Sequence, residues 1–249
     1  MTDSPTARLV YTCGLTSIGG PVAGPAGAPG GPPPQGPAPF PAEVDGPIPT
    51  HGRISSVPAE RLSTSAGWQD GAYVLQASGV MRETTAFGTN LQLTRTVTAT
   101  LGGNSFRISD EIENLSTRPS PLMFCYHCNP GFPILDGPAT RLALHSEYSF
   151  DKDAPDTALG PETWGRFAPP GSHTDATLVD RVWYHQPRAA ADGMVTLVLH
   201  CRAEGGRALA LYFKYSAAEM AQLTTWSHMV AGEYIFGLEP GNANMLGRE

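Results

Sequence analysis

The chain has little positive charge and lacks the features of membrane and nucleic-acid-binding proteins. Only Lys152 and Lys214 are lysines among its 16 basic residues, and its formal net charge is −7. No basic stretch is interleaved with aromatic residues, which argues against a nucleic-acid groove. The apolar runs are short against the ~20 residues needed to cross a bilayer. We therefore expect no nucleic acid and no membrane as partners.

Secretion signals and a cysteine framework are also lacking. Residues 1–10 do not combine a charged start with an apolar stretch, so no signal peptide is predicted. Four cysteines in 249 residues are too few for a disulfide framework. The sequence therefore predicts a cytoplasmic protein, and it leaves the oligomeric state open.

Metal and cofactor motifs are scarce. Cys125 and Cys128 flank His127 in a Cys-x-x-Cys pattern, but a structural zinc site needs four ligands and no second pair follows. Alternation along a strand would also place the two thiols on opposite faces. There is no phosphate-binding loop, dinucleotide fingerprint or His-Glu-x-x-His motif. We expect neither a metal nor a cofactor.

Glycine and proline are concentrated in one segment. Residues 19–49 contain 8 Gly and 11 Pro, and these prolines disfavour both helices and interior strands. The eighteen residues that precede the segment are too few to form a domain. We therefore predict one domain over residues 1–249, with residues 19–49 as an inserted loop.

The remaining pattern predicts an all-β fold. Residues 90–101 alternate, with apolar side chains on one side and Thr94, Thr96, Thr98 and Thr100 on the other, which is typical of a half-buried strand. Residues 102–104, Gly-Gly-Asn, predict a hairpin turn. Many short strands with few helices favour an antiparallel β-sandwich or barrel.

Further strands are predicted at other apolar segments, and one segment is expected to be helical. The strands are predicted at residues 71–77, 105–114, 120–127, 180–185, 194–201, 207–215 and 232–238. Only residues 217–226 resemble a helix.

Three local patterns offer groups for acid–base or binding chemistry. His127 and Asn129 close an apolar strand, and an imidazole is the usual general acid near neutral pH. Glu239 ends the apolar strand before Pro240 and could act as a general base. His51 and Arg53 flank Gly52 and could both contact a polar ligand. Structural alternatives are a buried histidine capped by a turn, a solvated glutamate and surface polar residues in a loop.

Taken in order, these residues resemble a known family. The set resembles the bacterial branch of aldose 1-epimerase-like proteins that is recorded as a domain of unknown function. The residues that carry the resemblance are Thr12-Cys13-Gly14-Leu15, His51-Gly52-Arg53-Ile54, Pro58-Ala59-Glu60, Asp110, Asn114, Tyr126-His127-x-Asn129-x-Gly131, Trp226 and Tyr234-x-x-Gly237-Leu238-Glu239-Pro240.

The resemblance implies a fold and an activity. It implies a large antiparallel, galactose mutarotase-like β-sandwich that binds a small-molecule carbohydrate, here lacking outer strands at both ends. The implied activity is cofactor-free aldose 1-epimerisation, or a related sugar isomerisation or epimerisation. Carbohydrate binding without turnover and another reaction on the same scaffold, such as sugar lactone hydrolysis, are the alternatives.

The resemblance also implies roles for individual residues. His127 matches the general acid, Glu239 the general base, and His51 and Asn129 match sugar-binding positions. Arg53 matches a substrate-binding arginine. Additional pocket residues expected in this branch are Tyr126, Lys214 and Trp226. The mutarotase aspartate that binds sugar hydroxyls has no clear counterpart, although Asp180 and His185 lie in roughly that stretch.

Overall fold

A computed structural model of the protein describes residues 10–18, 48–86, 88–169, 176–202 and 208–243. This part of the chain is built of β-strands with one short α-helix, which confirms the all-β prediction. The elements are β1 (Val10–Leu15), β2 (Glu60–Gln69), β3 (Ala72–Thr84), β4 (Asn90–Thr100), β5 (Phe106–Asn114), β6 (Met123–Cys128), β7 (Thr140–Ala143), β8 (Ser146–Asp151), β9 (Ala154–Ala158), α1 (Pro161–Trp164), β10 (Val179–Pro187), β11 (Met194–Arg202), β12 (Ala208–Ser216), β13 (Gln222–Val230) and β14 (Glu233–Gly241).

The described chain divides into two compact units. Counting only the described residues, the first unit contains residues within 10–13 and 123–243. The second unit contains residues within 14–122. The predicted inserted loop at 19–49 lies outside the described residues except for its last two positions. Its role and the single-domain organisation stay predictions. Within the described ranges, no helix is long and apolar enough to cross a membrane.

The first unit is an antiparallel β-sandwich. Its seven-stranded sheet has the order β1-β6-β14-β13-β10-β8-β9, and its three-stranded sheet has the order β12-β11-β7. Side chains from both sheets form one buried apolar cluster, as expected when two sheets bury their apolar faces against each other. Representative members are Trp183, Leu223, Phe236 and Leu238 from the larger sheet and Leu142, Leu197 and Leu199 from the smaller one.

The predicted helix at residues 217–226 is wrong, because its second half belongs to β13. In β13, Leu223 and Met229 are buried in the core cluster, while Trp226 and His228 occupy alternate positions. The strand is held between β10 and β14 by antiparallel ladders, with one register shift in β10 between Val179 and Arg181. Tertiary pairing of this kind overrides a weak local helical preference.

The second unit contains a four-stranded sheet with the order β2-β3-β4-β5. The strand predicted here is confirmed, but its burial alternates only in the first half, where Leu91 and Leu93 are buried, whereas residues 94–99 are all half-buried. The predicted hairpin follows, with Gly102 at φ +77° and the amide of Gly103 bonded to the carbonyl of Thr100. Further along the apolar face of the same sheet, large side chains are exposed, including Trp68, Leu75 and Phe106.

His185 belongs to the structural core of the first unit. Its side chain is buried, its Nδ1 lies 2.9 Å from the Ser149 hydroxyl, and its Nε2 lies 2.8 Å from the Thr225 hydroxyl. The indole of Trp164 meets the imidazole edge-on with ring centroids 5.1 Å apart. Burial lowers the pKa of His185 from 6.5 to about 3. The residue is therefore a neutral structural histidine.

We predict that His185 makes the protein acid-sensitive. The unfolded chain binds a proton at this position below about pH 6.5, whereas the folded chain does not until about pH 3. As the pH is lowered through this window, the free energy of unfolding should therefore decrease. This group contributes up to about 1.4 kcal/mol per pH unit. Urea unfolding at several pH values measures this dependence. The unfolding free energy plotted against pH should have a shallower slope for His185→Gln than for the unsubstituted protein. The matched control is His200→Gln on β11, an exposed histidine. Parallel slopes for His185→Gln and the unsubstituted protein would contradict the prediction.

Candidate functional site

His127 and Glu239 face each other on neighbouring strands of the seven-stranded sheet. In the ladder between β6 and β14, Leu238 pairs with Cys128 and Gly241 with Cys125. The same register sets Glu239 directly opposite His127. Because side chains alternate between faces, and Cys128 and Leu238 belong to the core cluster, the His127 and Glu239 side chains lie on the face away from that core.

The two side chains are in contact and shielded from water. Nε2 of His127 lies 3.0 Å from Oε1 of Glu239, and their side chains are only 3% and 0% exposed. This distance is that of an ion pair between a protonated imidazole and a carboxylate. The contact offsets part of the cost of burying either charged group alone.

The surroundings of His127 set its proton affinity. Burial by itself lowers the pKa of His127, but the charge and hydrogen bond of Glu239 raise it, and Asn129 adds a further hydrogen bond in the same direction. The net pKa lies above the ordinary value of 6.5. The imidazole beside Glu239 therefore holds its proton more tightly than a free histidine does.

Aromatic rings approach the imidazole of His127 from two strands. The ring of Tyr11 on β1 is stacked on it, with centroids 4.6 Å apart and an interplanar angle of 21°. The indole of Trp226 on β13 meets it edge-on, with centroids 6.0 Å apart and an angle of 73°. Aromatic pairs favour both arrangements. The structure thus brings Trp226, a predicted pocket residue, to the His127–Glu239 pair.

Gly237 leaves the space in which the pair sits. A Cβ atom at this position would lie 2.6 Å from Oε1 of Glu239, 3.2 Å from Cε1 of His127 and 3.3 Å from Cβ of Trp226. The backbone here is not in the left-handed region. The glycine is therefore required by the packing of the pair and not by backbone conformation.

Two buried thiols lie near the carboxylate of Glu239. A hydrogen bond with Cys13, burial and the charge of Glu239 raise the pKa of Cys125 well above its usual range. Burial raises the pKa of Cys128, on the core side, to about 12. These thiols stay protonated at neutral pH, which makes them poor nucleophiles. Among the described residues, no group of three or more His, Cys, Asp or Glu side chains could hold a metal ion.

Further along the sheet, His228 lies between two carboxylates. Its Nδ1 is 2.7 Å from Oδ1 of Asp180, and its Nε2 is 3.1 Å from Oε2 of Glu233. Its ring stacks on the indole of Trp226 with centroids 5.5 Å apart. His228 therefore supports one side of Trp226, and Asp180 is engaged with His228.

Tyr126 and Lys214 do not join the pair. Tyr126 packs against the core cluster on the opposite face of β6, with its ring edge-on to Phe124 at 5.0 Å. Lys214 lies on β12 of the three-stranded sheet, where its amino group is 2.9 Å from a carboxylate oxygen of Asp192. Alternation explains the placement of Tyr126, because it is adjacent in sequence to His127 and so points the other way.

His51 and Arg53 belong to the second unit. The carbonyl of His51 accepts a hydrogen bond of 3.0 Å from the amide of Gly14. Gly52 follows at φ +77°, and a Cβ atom there would lie 2.1 Å from the carbonyl oxygen of Gly14 and 2.3 Å from that of Ser17. Only glycine fits this close approach. The His-Gly pair therefore has a structural reason, whatever its role in binding.

Glu83 is a buried carboxylate of the second unit that sequence reasoning missed. It accepts hydrogen bonds from the Leu15 amide at 2.8 Å and from the Thr16 hydroxyl. Nη1 of Arg53 lies 3.5 Å from it. Glu83 thus holds Arg53 and the segment after β1 together. Its position on the apolar side of β3, opposite Leu91, is the signal that could have identified it.

Comparisons with known proteins identify the family and the fold. The family described as a domain of unknown function, DUF4432, matches residues 5–249. No curated protein sequence matches the chain. A crystal structure of a protein from Klebsiella pneumoniae, described as a "putative aldose 1-epimerase", is similar with a TM-score of 0.75 and 20% sequence identity. The match covers 96% of this chain and 55% of the other, so the chain spans about half the length of that structure.

We predict that Glu239 is the cause of the raised pKa of His127. In Glu239→Gln the amide can still accept a hydrogen bond from Nε2 but carries no charge, so burial should dominate and bring the pKa below 6.5. NMR titration of the imidazole Cε1 proton measures this directly. Asp192→Asn removes an exposed carboxylate and serves as the control. An unchanged His127 pKa in Glu239→Gln would contradict the assignment.

We predict that Gly237→Ala separates the pair without unfolding the protein. The added methyl meets the end of a flexible side chain, the Glu239 carboxylate, which can rotate away. The pKa of His127 should then fall toward its value in Glu239→Gln. The control is Gly67→Ala on β2, where no atom lies within 4 Å of the new Cβ. The prediction fails if His127 titrates as in the unsubstituted protein.

Proposed function

Because the chain belongs to the DUF4432 family and has an aldose 1-epimerase-like β-sandwich fold, we propose that it binds a carbohydrate and interconverts its anomers. The observation that carries this proposal is the buried His127–Glu239 contact on the sheet face away from the core. A histidine that retains its proton beside a carboxylate supplies an acid and a base without a cofactor.

In the proposed reaction the two groups exchange protons with one sugar. Glu239 accepts the proton of the anomeric hydroxyl, and His127 donates its proton to the ring oxygen. The bond between the anomeric carbon and the ring oxygen breaks, and the anomeric carbon becomes an aldehyde. Rotation of the aldehyde followed by the reverse transfers closes the ring as the other anomer. Both side chains end in their starting protonation states.

The 3.0 Å contact between His127 and Glu239 also constrains how a sugar binds. The ring oxygen and the anomeric hydroxyl of the sugar must replace this contact with one hydrogen bond to each side chain. Each side chain must gain its hydrogen bond to the sugar as the contact is lost, because either group alone in an apolar site would remain unsatisfied. Substrate binding should therefore perturb the NMR signals of His127.

Neighbouring residues take the proposed binding roles. Asn129, which helps to raise the pKa of His127, and the indole of Trp226 are the proposed sugar contacts beside the pair. For His51 and Arg53, contact with the sugar stays a prediction from the sequence. Tyr126 and Lys214 are not part of the proposed site, because one faces the core and the other lies on the other sheet.

We predict that the purified protein accelerates anomer exchange of at least one aldose. Polarimetry or NMR exchange spectroscopy on a panel of neutral, amino and acidic aldoses measures the rate. Glu239→Gln and His127→Asn should each lower the rate of anomer exchange about 100-fold or more, since general acid–base catalysis contributes that much. Asp192→Asn and His200→Asn, at exposed positions, are the matched controls and should retain full activity.

The pH profile gives an independent check. The reaction needs protonated His127, whose pKa is raised, so kcat/KM should persist above pH 6.5 and fall as pH rises through that raised pKa.

Calorimetric binding of an aldose without exchange would favour a binding protein instead. Hydrolysis of sugar lactones without anomer exchange would favour another reaction on this scaffold. Equal rates for the protein, its variants and buffer across the panel would overturn the proposal.

A further inference from the structure

We infer that Tyr11 is a positioning residue that fixes the plane of the His127 imidazole, so that Nε2 points at Glu239. This inference extends the proposed function, which gives His127 the role of proton donor. Tyr11 lies on β1, next to β6 in the sheet order. Its side chain is not one of the acid–base groups, so its contribution must come from contact.

The imidazole needs an external constraint on its plane. Rotation about the bond between Cβ and Cγ of histidine is broad, with no sharp staggered wells. A rotation of this ring would carry Nε2 away from Oε1 of Glu239, which lies only 3.0 Å away. A proton donor that is misplaced by about 1 Å can lose on the order of 100-fold in rate.

Tyr11 supplies a flat surface against which the imidazole rests. The two rings are nearly parallel, at 21°, and their centroids are 4.6 Å apart, which is close to van der Waals contact for stacked rings. Rotation of the imidazole out of this plane would drive its atoms into the phenol ring. Tyr11 is 6% exposed, so the ring itself has little room to give way.

Trp226 limits movement of the imidazole from the other direction. Its strand, β13, lies beyond β14 from His127 in the sheet order, and its indole meets the imidazole at 73°. Trp226 is in turn stacked on His228, whose ring nitrogens are held by Asp180 and Glu233. The indole is therefore itself supported, and the stacked ring of Tyr11 restrains the imidazole plane from the side of β1.

The Tyr11 hydroxyl is not a proton source near neutral pH. Burial, together with the neighbouring Cys13 and Glu239 side chains, raises the pKa of Tyr11 above its ordinary value of 10.0. The phenol therefore remains neutral throughout the range in which His127 and Glu239 would act. Removal of the hydroxyl alone should leave the chemistry in place, whereas removal of the ring should not.

The test compares two substitutions that separate the ring from the hydroxyl. Tyr11→Phe keeps the stacked ring, so kcat should stay within about threefold and the pKa of His127 should remain raised. Tyr11→Leu removes the ring, so kcat should fall about 30- to 100-fold with less than a threefold change in KM. The pKa of His127 should also fall, because Nε2 no longer points at the carboxylate.

A control distinguishes positioning from general stabilisation. Phe167 in the core cluster has the same 6% exposure as Tyr11, so Phe167→Leu should destabilise the fold comparably. Its His127 titration and kcat should not change. If Tyr11→Leu changes the His127 titration and kcat as little as Phe167→Leu does, the inference is overturned. It is also overturned if Tyr11→Phe loses as much activity as Tyr11→Leu, because the hydroxyl would then be the important group.

The titration separates this inference from the proposed function. NMR measurement of the His127 pKa in the Tyr11 variants needs no substrate and no turnover. If the unsubstituted protein catalyses no anomer exchange, the proposed function fails, and the titration still decides whether Tyr11 orients the imidazole. An unchanged His127 pKa in folded Tyr11→Leu overturns the inference even where the protein is active.

Discussion

The contact between His127 and Glu239 is the interaction on which the rest of the candidate site depends. Both side chains are almost fully buried, and a buried charge without a partner costs several kcal/mol. The contact exists because β6 and β14 are neighbours in one register, which packing of Cys128 and Leu238 on the opposite face stabilises. The core on one face of the sheet therefore fixes the position of this pair on the other.

Three titratable neighbours of this pair, Tyr11, Cys125 and Cys128, are neutral near neutral pH. The nearby phenol and thiols have raised pKa values and stay neutral. The His228 cluster with its two carboxylates is separated from the pair by the indole of Trp226. Near neutral pH, none of these three groups, the phenol and the two thiols, therefore competes with His127 for a proton. Such separation of roles is what general acid–base chemistry requires.

Local patterns predicted much of the fold and the two central residues of the site. The alternating pattern of β4 and the hairpin turn after it depend on neighbours in sequence, so both features could be predicted. His127 and Glu239 were chosen because each ends an apolar strand, but their contact depends on long-range pairing that no local pattern contains. The same limit explains the helix wrongly predicted over part of β13.

Residues whose role depends on which face they occupy were harder to predict. The resemblance predicts Tyr126 in the pocket with its neighbour His127, yet adjacent strand residues point to opposite faces. Tyr11 and Glu83 gave no motif, since their roles arise from stacking and from buried hydrogen bonds. Lys214, which the resemblance predicts in the pocket, lies on the three-stranded sheet and pairs with Asp192.

The register of β6 against β14 has a consequence for how this sequence can change. A one-residue insertion or deletion inside either strand would turn its later side chains to the other face of the sheet. The imidazole or the carboxylate would then enter the apolar core, and an apolar residue would take its place. A substitution in these strands keeps the register, whereas a length change shifts it. Length changes that keep His127 opposite Glu239 are thus confined to the connections between strands, and the two residues form a single geometric unit.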